Sequence, residues 1–447
     1  MDISWFLFLC LTAATAFDIQ DLHNLLKPGT AKSLAFDFPD LHNLFRSTTR
    51  HFPVRQSVSP AKKRTVTPSR RPITRSTKRR TTTEPTESTS ERPTTERTTT
   101  PSTTRTTTTP TTTTTIDPIL IPAWQAKQRD NDFIELSGSK REALMNLSNK
   151  DRFMKTLLPI AVPRVAGTPE SLKVQKFIKS KLSELSYTIK LDQFISDPPE
   201  GHEPCNMTNI IATLNPEAPR KLVLACHYDS KFDKEGLFVG LSDSAAPCAM
   251  MLDLAESLHP FLTNRIANLN VTLQLMFLDG EEAVEKWSTT DSLYGARNLA
   301  TKMEATHNEF AHENSTLTEL HSIDFMILLD LIGTKDTQFR AFYYTARGQF
   351  ERLAEIEESA LQRDKVRTWG REKPYFDVSP IGKHAWVDDD YRPFIEKGVK
   401  ILHLVSWPFP TVWHKLADNL DALHYDTVDD ILKILRVYLC EYLNCTV

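Results

Sequence analysis

The sequence is short of several things. Its 447 residues include only six cysteines, too few for a scaffold built on disulfides. A hydrophobic core must carry the fold, with at most two or three bridges. Neither charge is in strong excess, since 54 Lys and Arg against 57 Asp and Glu leave a net charge of −3. That balance supports no general affinity for nucleic acid. Beyond the first sixteen residues no apolar run is long enough to span a membrane. What is present, 40% hydrophobic residues over this length, suffices for a large core plus accessory segments.

Residues 1–16, MDISWFLFLCLTAATA, have an apolar centre and a small-residue end. This is the pattern of a secretory signal cut after Ala16. Only Asp2 precedes the apolar centre, with no Lys or Arg, so an uncleaved Golgi anchor is the alternative to a secreted protein. Five Asn-X-Ser/Thr sequons begin at Asn146, Asn206, Asn270, Asn314 and Asn444 and point to the same route, with glycans on those asparagines. Residues 17–46 contain most of a short repeat, AFDIQDLHNLL at 16–26 and AFDFPDLHNLF at 35–45; two copies are too few for a solenoid. Residues 47–115 are rich in Thr, Ser, Pro and Arg. Such a stretch cannot bury a core and resembles an O-glycosylated stalk or linker. From 116 to 447 the composition is that of one large globular domain.

Within that domain four runs are almost continuously apolar: 221–229, 272–280, 323–333 and 399–406. Strands of this kind are buried on both faces. Helical patterns lie between and after them, at 247–258 and 429–443. The alternation predicts an α/β fold, a three-layer α-β-α sandwich around a mixed, mainly parallel sheet. Ligands of such sheets bind at the carboxyl ends of the strands. Those ends carry His227 and Asp229, then Asp279, Glu281 and Glu282, then Asp330, with Asp243 after the first strand and His414 after the last. Each has an ordinary explanation taken singly: Asp243 as a helix N-cap, His414 as a surface histidine, Glu281 and Glu282 as a solvated pair. Asp330 is harder to explain that way, because an apolar strand seldom carries an unpartnered acid. Together they suit a zinc site, which takes N and O ligands and, when catalytic, keeps one position open.

The motifs ACHYDSK (225–231), SDSAAPCAMML (242–252), DGEEA (279–283), WSTTDSLYGARNLA (287–300), LLDLIG (328–333) and PFPTVWH (408–414) resemble those of animal glutaminyl-peptide cyclotransferases, which share a fold with zinc aminopeptidases. The resemblance covers the chain from about residue 151 to its end. It implies one zinc per chain held by Asp243, Glu282 and His414, and Glu281 as general acid and base backed by the acids Asp330 and Asp389. It further implies Trp287, Phe409, Trp413 and His227 around the substrate, and a Cys226–Cys248 disulfide. With Cys10 removed, Cys205, Cys440 and Cys445 then leave one odd thiol. The implied reaction is conversion of an N-terminal glutamine, with glutamate as an alternative substrate, to pyroglutamate by a monomeric enzyme. Where the family usually has Gln before two aspartates, this chain has Asp388, an added acid that bears on substrate choice or on the acidity of Asp389. The rival reading is a two-zinc aminopeptidase with His227 and Asp330 on the second metal. A third is an inactive binding protein, against which the intact Asp243, Glu281, Glu282 and His414 argue.

Overall fold

The computed structural model describes residues 134–263, 270–382 and 385–447, which fall in the unit Thr108–Val447. The signal-like segment, the repeat and the Thr-rich stretch lie outside the described residues. Six strands form one sheet. Two polar strands come first, β1 (Thr188–Ile195) and β2 (Asn206–Thr213). The four apolar runs follow as β3 (Arg220–His227), β4 (Val271–Leu278), β5 (Ile323–Asp330) and β6 (Ile401–Val405). Their order across the sheet is β1-β2-β4-β3-β5-β6. The β4/β3, β3/β5 and β5/β6 pairs are parallel, while β1/β2 and β2/β4 are antiparallel.

Side chains alternate between the two faces of this sheet. Leu222, Leu224, Leu273, Leu275, Phe277 and Ile327 enter the larger core cluster. Val223, Ala225, Met276, Leu278, Met326 and Leu328 enter the other. The larger cluster takes in helices α1 (Gly138–Met145), α2 (Lys150–Leu157), α3 (Pro169–Glu184) and α4 (Ala246–Thr263). The second is closed by α5 (Tyr294–Ala305), through Ala296, Leu299, Ala300 and Met303. Helices α6 (Arg347–Leu361) and α7 (Tyr425–Leu443) return to the first face. The expected three layers are therefore present. Local sequence fixes several helix starts: Asn149 and Thr168 accept from the N–H of Arg152 and Ser171, and Pro169 follows Thr168 in the first turn.

Helix α4 is apolar almost all round and packs on both β3 and α7, so its few charges need partners. Asp253 accepts from Arg152 Nε at 2.7 Å and from Arg436 at 2.6 Å. Glu441 of α7 is paired with Arg141 and Arg352.

The disulfide implied by the resemblance is corrected here. Cys226 and Cys248 are free, buried thiols with Sγ atoms 3.0 Å apart. Cys226 faces α4 from β3, and Cys248 Sγ donates to the His227 carbonyl at 3.1 Å. The bonded pair is Cys440–Cys445. Asn444, with φ 55°, ends α7 in the left-handed conformation and turns the chain back over its last turn. Cys205 is a third free thiol among the described residues.

Candidate active site

The chain passes from β3 to β4 on one side and on to β5 on the other, which makes the carboxyl end of β3 a switch point. Asp243 arrives there on the turn Leu241–Ala245 that precedes α4. Two groups of ligand-type atoms meet around it: Asp243, Glu282 and His414, and His227, Asp243 and Asp330. Asp243 belongs to both. Its Oδ2 lies 3.4 Å from His414 Nε2, which is 3.6 Å from Glu282 Oε1. Its Oδ1 lies 3.2 Å from His227 Nε2, which is 3.6 Å from Asp330 Oδ1.

Among the described residues, Asp243 Oδ2, Glu282 Oε1 and both ring nitrogens of His227 are enclosed and make only loose ion-pair contacts of 3.2–3.6 Å, with no well-formed hydrogen bond. Polar atoms left this way cost several kcal/mol. A cation among them removes that cost, so the O,O,N set of Asp243, Glu282 and His414 fits the zinc that the sequence implies. The strained backbone of His414, at φ 53°, is of the kind that clusters at functional sites.

Neighbouring loops hold the set in place. The Asp229 carboxylate accepts the backbone N–H groups of both Glu281 and Glu282, at 3.1 and 3.3 Å. The backbone of these two adjacent residues is thus fixed by one carboxylate. Asp279 accepts from Tyr228 Oη and the Thr208 N–H, both at 2.8 Å, and so ties the end of β4 to β2 and to the residue after β3. Ser244 Oγ donates to Asp330 at 2.6 Å. Asp389 is 2.7 Å from His403 Nε2, and the other ring nitrogen of His403 is 3.0 Å from Tyr344 Oη.

The electrostatics follow from crowding acids in a dry site. Burial pushes the Glu281 carboxyl well up, against the pull of His227, with Glu282, Asp389 and Asp390 adding to the rise. Burial and the Asp243 charge push Glu282 up to about 7. Burial and Asp389 raise Asp330. Burial alone would raise Asp243 too, but His227 and His414 bring it below the usual carboxylate range. Against burial, Asp229, Asp243 and Asp330 hold His227 well above its ordinary value. A cation would relieve these repulsions.

The aromatic residues named from the sequence fall into two places. Trp413 stacks on His414 with ring centroids 4.1 Å apart, and Phe409 meets Trp413 edge-on at 4.8 Å. Trp287 is half-buried against the second core cluster and donates its indole N–H to Asp388. Sequence reasoning missed several supports. Arg164, fully buried, donates to the carbonyls of Tyr228, Val239 and Gly240, and so braces the Asp243 turn. Asp418 accepts from the N–H and Oγ of Ser242, at 2.9 and 3.0 Å. Asp390 is buried with neither carboxyl oxygen bonded among the described residues, and burial and Asp389 push it well up. Lone residues such as Arg164 and Asp418 carry no spacing signal that could have marked them.

Residues 209–439 match the model of peptidase family M28. The chain is 42% identical over 299 residues to the glutaminyl-peptide cyclotransferase of Gloydius blomhoffii, spanning 64% of this chain and 80% of that protein. It is 39% identical over 317 residues to that of Bos taurus, spanning 68% and 86%. The crystal structure of Macrostomum lignano glutaminyl cyclase superposes with a TM-score of 0.61 at 34% identity, covering 70% of this chain and 95% of that one. A leucine aminopeptidase precursor of Bacteroides thetaiotaomicron shares the fold at 17% identity and a TM-score of 0.50, covering 66% and 96%.

Proposed function

The chain belongs to peptidase family M28 and to the glutaminyl-peptide cyclotransferases, which are acyltransferases, and on that premise we propose that it converts the N-terminal glutamine of peptides and proteins to pyroglutamate, releasing ammonia, with one zinc ion per chain. The observation that carries this reading is the convergence of Asp243, Glu282 and His414 with unsatisfied enclosed atoms, next in sequence to the buried Glu281.

Held by Asp243, Glu282 and His414, the zinc would supply a Lewis acid for the γ-carbonyl oxygen of the substrate. The chain's own residues do the rest. Ring closure is intramolecular, so holding the glutamine in the folded-back conformation supplies much of the rate. Trp287, Phe409 and Trp413 form the walls that hold it. The α-nitrogen bonds to the side-chain carbonyl carbon, and the bond from that carbon to the amide nitrogen breaks. Glu281 takes the proton from the α-amine and returns it to the departing ammonia. A group that works in both directions needs a pKa near the working pH. The raised position of Glu281 supports that role. Asp389, bonded to His403, keeps local charge that holds Glu281 there, and Asp330, bonded to Ser244, is the second acid behind it.

We also place the protein in the secretory pathway. The exposed positions of Asn146, Asn206, Asn270 and Asn314 support glycosylation; Asn444 is half-buried with its Oδ1 enclosed.

The second cluster favours a competing reading. His227, Asp243 and Asp330 are a ligand set of their own, and a two-metal site with an activated water would be an aminopeptidase. Metal titration of the stripped chain separates the two. The cyclase reading expects full activity at one zinc per chain, with ammonia released from glutaminyl peptides. Activity that needs a second equivalent overturns it.

A further inference from the structure

Asp388 is a largely covered acid of which the function described above makes no use. The structure gives that acid two partners on one oxygen. The indole N–H of Trp287 donates to Asp388 Oδ2 at 3.1 Å, and Arg392 Nη1 donates to the same atom at 2.9 Å. Arg392 also donates from Nε to Glu396 at 3.0 Å. Both Asp388 and Arg392 are largely covered, with side-chain exposures of 23% and 32%. The Trp287 side chain packs on the apolar cluster that contains Leu293, Leu299 and Tyr391.

We infer that Asp388, with its charge balanced by Arg392, is the positioning residue that locks the Trp287 wall of the substrate pocket. An amide at this position offers both a donor and an acceptor and can turn either way. A carboxylate presents an accepting oxygen to the indole N–H whichever way it is turned, so the contact does not depend on a flip. Charged acceptors also make the stronger hydrogen bonds. Arg392 removes the penalty of a half-buried unpaired anion. Asp388 does not touch the reacting atoms, and it acts through Trp287. A wall contributes equally to ground and transition states, so loosening it should raise KM and leave kcat nearly unchanged.

The inference rests on the reading of Trp287 as a pocket wall. Its test has one arm that needs no substrate. In the full-length protein labelled with 15N, the indole N–H resonance of Trp287 is identified by its loss in W287F. In D388L, which has no acceptor, that resonance should leave the hydrogen-bonded range; in D388N it should stay. In kinetics with a glutaminyl dipeptide, D388L should raise KM about tenfold, the scale of one lost charge-assisted bond, with kcat little changed. D388N should restore KM to within about threefold of the parent. An indole resonance that does not move in D388L overturns the hold on Trp287 whether or not the protein cyclises peptides. A moved resonance with unchanged KM, or a fall in kcat with unchanged KM, overturns the role in substrate binding. Failure of the parent to cyclise any glutaminyl peptide overturns the proposed reaction, and with it the role in substrate binding, while the resonance still decides the contact.

Discussion

Glu281→Gln abolishes turnover and leaves the metal bound. The amide has the size and shape of the carboxyl group but cannot accept a proton from the α-amine. Loss of a positioned acid–base group costs about 10²–10⁴ in kcat, and the expected fall lies in that range or beyond. The fold should survive, because the contacts that fix this segment are made by the Glu281 and Glu282 backbone N–H groups to Asp229, not by the Glu281 side chain. Metal content by elemental analysis and kcat on a glutaminyl peptide, measured on one preparation, check it. Metal loss in Glu281→Gln, with metal kept in Glu282→Gln, would show that the two glutamates exchange roles.

Asp243→Asn removes the metal and the activity together. Asp243 is the residue shared by both ligand clusters, and its charge is the one that His227 and His414 hold lowest. Outer-shell partners of a metal are worth about 10–100-fold in affinity, so a direct ligand should cost more than that. The asparagine keeps the shape of the turn braced by Arg164 and Asp418, so circular dichroism should stay that of the parent. Retention of one tightly held metal per chain in Asp243→Asn would remove Asp243 from the ligand set. These two variants separate the functions of the site: one keeps metal without chemistry, and the other loses both.

Much of the layout was legible because the buried strands declare themselves. β3 to β6 are unbroken apolar runs, and an acid or histidine at the end of such a run stands out against it. β1 and β2 gave no such signal. β1 is exposed along most of its length, and β2 mixes Asn and Thr with its apolar residues, so neither reads as a core strand. Asp243, Glu282, His414 and Glu281 were found through motifs, and the structure brings the first three within reach of one ion. The supports were not legible. Arg164 acts through its guanidinium on three carbonyls, and Asp418 through one serine. Such bonds depend on how distant loops meet, not on local spacing. The cysteines show the same limit. Cys440 and Cys445 pair because a left-handed turn at Asn444 brings them to a Cα separation of 4.7 Å, which the count of cysteines does not reveal.

The central claim is that this site closes a ring rather than cutting a chain. The full-length protein, loaded with zinc, is incubated with a Gln-X and a Leu-X peptide, and the products are weighed. The Gln-X product should be lighter by about 17 mass units, the ammonia lost on intramolecular closure, with its peptide bond intact and Leu-X unchanged. Release of free leucine or free glutamine from either peptide would contradict it.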